Sequence, residues 1–81
     1  MGSRYYVFTV NKEEDIECMM VGLNQEGPPD PIRYVCGQLE KGTHVHFQGY
    51  LELTRPMRMA GIKKLFVDGA HYEVRKGTRE E

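Results

Sequence analysis

Eighty-one residues allow one domain with a thin core, because a chain this short buries only roughly 60–65% of the surface its unfolded form exposes. Forty per cent apolar and 28% charged side chains suit a globular domain and oppose wholesale disorder. Eleven basic against twelve acidic residues leave a net charge of -1, so a general polyanion binder is not indicated and any nucleic-acid contact must come from a local patch.

The apolar runs are far shorter than the ~18–20 residues of a membrane span, and no charged-then-apolar signal segment opens the sequence. Residues 1–3, Met-Gly-Ser, read as an expression scar, residues 4–77 as the single domain and 78–81 as a polar tail. Cys18 and Cys36 can form at most one bridge, and both are expected to be reduced and buried.

In chain order, Arg4 to Asn11 is rich in aromatic and β-branched residues and predicts a strand. Asn11 is placed to cap a helix whose first turn carries Glu13, Glu14 and Asp15, where the helix dipole favours acids. Ile16, Met19, Met20 and Leu23 form its apolar stripe, and Asn24 with Gly27 can end it. Gly27 to Pro31 is a stiff loop, since its prolines forbid both helix and ladder.

Ile32 to Leu39 predicts a second strand, paired through a Lys41-Gly42-Thr43 turn with a third over His44 to Leu53. Period-two alternation in that third strand sends Val45, Phe47, Gly49, Leu51 and Leu53 one way. His44, His46, Gln48, Tyr50 and Glu52 go the other. Pro56 is expected to open a second helix with Met59, Ile62, Leu65 and Phe66 inward and Lys63 and Lys64 outward. Asp68-Gly69 turns the chain into a last strand, Ala70 to Arg75. The order predicts an α+β fold: a ferredoxin-like, RRM-like split β-α-β-β-α-β, with two helices on one face of an antiparallel sheet and the other face bare.

A row of His44, His46, Gln48, Tyr50 and Glu52 is costly to bury and is expected to face water, a ligand or a metal. His46 and Gln48 share one face, and Glu40 beside the turn can add a carboxylate. An imidazole, an amide oxygen and a carboxylate leave positions open for water and phosphate oxygens, which suits Mn²⁺ or Mg²⁺. A plain solvated strand face has the same alternation. Zinc held by His44, His46 and Cys36 is a lesser alternative that lacks the spacing of structural zinc sites. No nucleophile constellation and no phosphate-binding glycine loop is evident.

Phe8-Thr9-Val10-Asn11, then Gln38-Leu39-Glu40 with Gly42-Thr43 and His46-Phe47-Gln48-Gly49-Tyr50, resemble in order two motifs of replication initiators from small circular single-stranded DNA viruses. The second is the His-hydrophobic-Gln form of the HUH signature. Thr54 to Arg58, Ala70 to Glu73 and Arg75 to Arg79 continue the likeness, which is nearest to the circovirus-like group. The resemblance implies an endonuclease and nucleotidyltransferase that nicks single-stranded DNA at a rolling-circle origin loop and later rejoins it. A tyrosine attacks the phosphate and stays bonded to the new 5′ end, which conserves the bond energy.

The same resemblance makes Glu40, His46 and Gln48 the metal set, with His44 in reserve. It implies work in the host nucleus by a longer parent with a C-terminal helicase domain and the ability to oligomerise. Tyr5, His44 and Tyr50 are the expected DNA contacts on the bare face, with His71, Arg75, Lys76 and Arg79 a basic end suited to phosphates. The bland readings are core packing for the aromatics and a solvated tail for Arg75 to Arg79. The family's nucleophile, a tyrosine followed closely by a lysine on a helix, is expected beyond Glu81, so the chain alone is read as unable to cut. The competing readings are a non-enzymatic RRM-like single-stranded nucleic-acid-binding module and a domain whose bare face dimerises.

Overall fold

The computed structural model describes residues 2–75. It comprises β1 (Ser3–Val10), α1 (Glu13–Gln25), β2 (Ile32–Lys41), β3 (Val45–Met57), α2 (Met59–Leu65) and β4 (His71–Val74). The strands form one antiparallel sheet in the order β2-β3-β1-β4, the ferredoxin-like arrangement expected. Among the described residues, no helix is long and apolar enough to cross a membrane.

The core follows from strand alternation. Tyr6, Phe8 and Val10 of β1, Phe47, Leu51 and Leu53 of β3 and Tyr72 of β4 share the face on which Ile16, Met19 and Ile62 of the helices are buried. Each such side chain contributes about 1.5–3 kcal/mol on leaving water. Phe8 is the hub: its ring stacks on Phe47 at 5.9 Å, meets Phe66 edge-on at 5.5 Å and Tyr72 at 6.1 Å. Gly49 makes that hub possible, because a Cβ there would press on Phe8 Cε1 at 2.6 Å.

Several local expectations are corrected. Lys12, not Asn11, is the N-cap of α1, and no side chain caps it. Met20 lies off the buried stripe and is exposed, as the helix presents only Ile16 and Met19, with Leu23 beside them, to the sheet. The helix does end as expected at a glycine: Gly27 adopts φ 77°, and its N–H donates to Leu23 O at 3.0 Å. Pro56 does not open α2. It lies inside β3, where the register with β1 jumps from Tyr5↔Glu52 to Ser3↔Met57, and a residue without an N–H fits such an irregularity. The second helix begins at Met59 behind Arg58, and then places Ile62 inward and Lys63 and Lys64 outward as expected. Cys18 and Cys36 are free but exposed, one on the outer side of α1 and one on the helix-free sheet face.

Candidate functional site

Cross-strand register builds the site. Glu40 of β2 pairs with His46 of β3, and the next same-face pair is Gln38 with Gln48. Paired residues in an antiparallel ladder point to the same side. All four therefore stand on the face that the helices leave open. Glu40 Oε1 lies 2.8 Å from His46 Nε2, and Gln38 Nε2 donates to Glu40 Oε2 at 3.2 Å. Both members of the Glu40–His46 pair are partly exposed. Gln38 holds the carboxylate's second oxygen, a role that the strand pattern did not single out; its pairing with Gln48 is the signal that finds it. His44 lies in the turn ahead of β3, exposed, rather than in the strand. Cys36 is four residues from Glu40 along β2, about 13 Å. Among the described residues no three His, Cys, Asp or Glu side chains gather, so the zinc alternative has no built site.

The polar row of β3 does not stay open along its length. Tyr50 is 8% exposed and Glu52 only 2%, against the expectation that both face water or a ligand. A bulge is the cause. Ile32 pairs with Leu53 and Tyr34 with Glu52, so Arg33 is an extra residue in β2 and its side chain reaches the open face. Arg33 Nη2 and Nε donate to Glu52 Oε1 at 3.0 and 3.3 Å, and the Tyr50 hydroxyl donates to Oε2 at 2.7 Å. Glu52 is thus buried with charge and hydrogen bonds satisfied.

The Arg75 guanidinium lies 4.7 Å from the Tyr50 ring centroid, over its face. Tyr50 is therefore a covered ring, not the open stacking platform expected. Tyr5 is half-buried on the same face, opposite Glu52, and Tyr34 is 39% exposed. His71 and Glu73 of β4 are exposed and joined by a 3.0 Å His71 Nε2–Glu73 Oε2 contact. Lys76 and Arg79 lie outside the described residues. Between the two ends of the face is an open depression of about 450 Å³, lined among others by Thr9, Cys36, Gln48, Tyr50, His71 and Glu73.

Tyr72 stands on the helix side of β4, fully buried, its hydroxyl donating to Val67 O at 2.8 Å and accepting from Val67 N–H at 3.0 Å. Burial pushes its phenol above the usual tyrosine range; the hydrogen bond with the Val67 backbone opposes this and nearby Asp68 adds to it. A raised folded-state value means that the folded chain holds its proton more tightly than the unfolded chain. This stability is fully present below about pH 10 and is lost as pH rises through the folded value. Unfolding free energy from urea titrations should fall above pH 10 in the parent chain, and Tyr72→Phe should flatten that fall. An equal fall in both would mean that Tyr72 is not the group responsible.

Comparison with known proteins follows this geometry. Residues 3–81 match the viral replication protein family, Viral_Rep. The chain is 44% identical over 70 residues to the master replication protein of faba bean necrotic yellows virus, a match covering 79% of this chain and 24% of that protein. It is 34% identical over 77 residues to Para-Rep C1 of milk vetch dwarf C1 alphasatellite, covering 95% and 25%. With the master replication protein of banana bunchy top virus the identity is 33% over 78 residues, covering 94% and 24%. The chain spans about a quarter of the length of these relatives. With a family match that takes in both the sheet and the Glu40–His46 face, this chain belongs to the viral replication protein family.

Proposed function

We propose that this chain is the origin-recognition and nicking/joining domain of a rolling-circle replication initiator, an HUH-type domain in its His-hydrophobic-Gln form that acts on single-stranded DNA. The observation that carries the reading is the 2.8 Å Glu40–His46 contact on the helix-free sheet face, with Gln48 on the same face, in a chain of this family. Neighbouring ligands of an octahedral ion with bonds near 2.1 Å stand about 3 Å apart. A carboxylate oxygen and an imidazole nitrogen at 2.8 Å therefore fit Mn²⁺ or Mg²⁺ after a small displacement, and the hard oxygen-rich donor set fits the same ions.

Glu40 and His46 would hold the ion, Gln48 would add its carboxamide oxygen, and Gln38 would orient Glu40 from behind. A bound ion supplies charge withdrawal from the scissile phosphate and fixes its orientation for in-line attack. The depression beside Gln48 then gives the DNA strand a course across the sheet toward His71 and Arg75. The circovirus-like placement, nuclear work, and a parent with helicase domain and oligomeric assembly belong to the same proposal and rest on the motif order.

Mn²⁺ titration of the melting temperature tests the metal set. At a hundredfold excess over the dissociation constant, a native-state ligand adds about 2.7 kcal/mol. In a domain this small, that raises the melting temperature by roughly ten degrees or more. His46→Ala should abolish the rise while leaving the metal-free melt nearly unchanged, since His46 is only partly buried. A parent chain that ignores Mn²⁺ and Mg²⁺ would sink this reading and leave the nucleic-acid-binding module in its place.

A further inference from the structure

The helix side of the molecule carries a second concavity. An open groove of about 410 Å³ runs between α1 and the stretch from Leu65 to Asp68, with Pro28 and Pro29 in its wall. It shares no lining residue with the depression on the open sheet face. Met19, Leu23, Leu65 and Phe66 give it an apolar lining, and the last three are only half-buried.

Its charged lining is wholly acidic: Asp15, Glu26 and Asp68. Among the described residues no ion pair neutralises any of the three. Helix α1 contains no basic residue, and Lys63 and Lys64 of α2 do not line the groove. A Cβ on Gly69 would meet Asp15 Oδ2 at 2.9 Å, so Asp15 stands beside the Asp68-Gly69 turn. Glu26 lies about 16 Å further along α1 by helical rise.

Gly22 is an independent observation at the same place. It sits inside α1, where only proline is a poorer residue, yet no packing neighbour lies within 4 Å of the Cβ it lacks. Packing does not require a glycine there. What its bareness leaves is space in the groove.

We propose that this groove docks a short segment of another protein, apolar at its centre and flanked by lysine or arginine. Burial of the segment's apolar side chains against Leu23, Leu65 and Phe66 drives the association. The carboxylates at the two ends select cations about five residues apart in an extended segment, and so fix its register. The same carboxylates repel a phosphate backbone, so nucleic acid is not the occupant. The groove and the open sheet face lie on opposite sides of the sheet, and the segment docks whether or not the open face is filled.

The two free cysteines report on the two sides separately: Cys18 lines the groove and Cys36 lines the open-face depression. The probe is the synthetic peptide Arg-Lys-Leu-Phe-Leu-Lys-Arg, with binding to the 81-residue chain read by fluorescence anisotropy. At saturation it should slow alkylation of Cys18 by iodoacetamide and leave Cys36 unchanged. Its acidic counterpart, Glu-Asp-Leu-Phe-Leu-Asp-Glu, should do neither, and a glycine-centred basic peptide should bind far more weakly. Glu26→Lys with Asp68→Lys, both exposed positions, should weaken the first peptide by roughly tenfold. Gly22→Leu should abolish binding by filling the groove, while melting no lower than the parent chain.

Unchanged Cys18 alkylation at saturating peptide would overturn the proposal, as would parental affinity in Gly22→Leu. Cys18 protection that rises with protein concentration alone would assign the groove to a second copy instead, and overturn the partner named here. The proposed origin function is tested apart from this one: a single-stranded oligonucleotide on the open face should slow Cys36 and spare Cys18. Failure at Cys36 counts against the DNA reading and leaves the groove untouched.

Discussion

Replacing Phe8 with alanine is expected to remove a large share of the domain's stability. Deleting a buried phenylalanine costs about 3–5 kcal/mol, because the cavity adds to the lost transfer energy. At roughly 0.05–0.15 kcal/mol per residue, a domain of this length has only about 4–12 kcal/mol in total. Phe8 is also the ring on which Phe47, Phe66 and Tyr72 converge, so three aromatic contacts go at once. A calorimetric melt should show a fall of more than ten degrees, or no cooperative transition at all. Val7→Ala is the internal control, being next in sequence but 37% exposed on the opposite face, and it should cost less than about 1 kcal/mol. Equal losses at Phe8 and Val7 would show that the sheet does not have the sidedness described here.

The second large effect is all-or-none. Incubated with Mn²⁺ and an origin-loop oligonucleotide, the 81-residue chain is expected to form no covalent protein–DNA adduct. The reason lies in where its five tyrosines stand. Tyr6 and Tyr72 are sealed under the sheet, with hydroxyls bonded to Met57 O and to Val67. Tyr50 points its hydroxyl into Glu52. Tyr34 is six residues from Glu40 along β2, and Tyr5 sits opposite Glu52, six residues from His46 along β3; both separations are about 20 Å. None can present a phenolate to a phosphate oriented by an ion at Glu40 and His46, the arrangement proposed above. A chain extended by a helix carrying a tyrosine and a nearby lysine should yield the adduct, read as a band shift on a denaturing gel. An adduct on the 81-residue chain, mapped to any of the five, would overturn the assignment of the ion to Glu40 and His46.

Much of this was legible in the residues because alternation is a local signal. Phe8 and Val10, or Phe47, Leu51 and Leu53, declare one face of a strand by spacing alone, and that face is the buried one. The sharing of a face by His46 and Gln48 follows from the same rule. Met20 was misplaced because a four-residue helical stripe is wider than the strip of α1 that the sheet covers. Pro56 was misplaced because proline favours a helix start by local preference, whereas β3 runs past it to pair Met57 with Ser3. The cysteines were misplaced because small apolar character says nothing about which side of an element faces the core.

The sequence by itself determined the six elements, their order and the two-sided division of the sheet, since these depend on periods of two and 3.6 residues that any neighbour-by-neighbour reading recovers. Only the tertiary structure decided which polar residues of the open face remain available. Register placed Glu40 opposite His46 and Gln38 opposite Gln48, and a single extra residue in β2 brought Arg33 over Glu52. Closing Tyr50 and Glu52 depended on partners far away in sequence: Arg33, 19 residues before Glu52, and Arg75, 25 residues after Tyr50. Contacts of that separation are set by strand pairing, which no local pattern encodes.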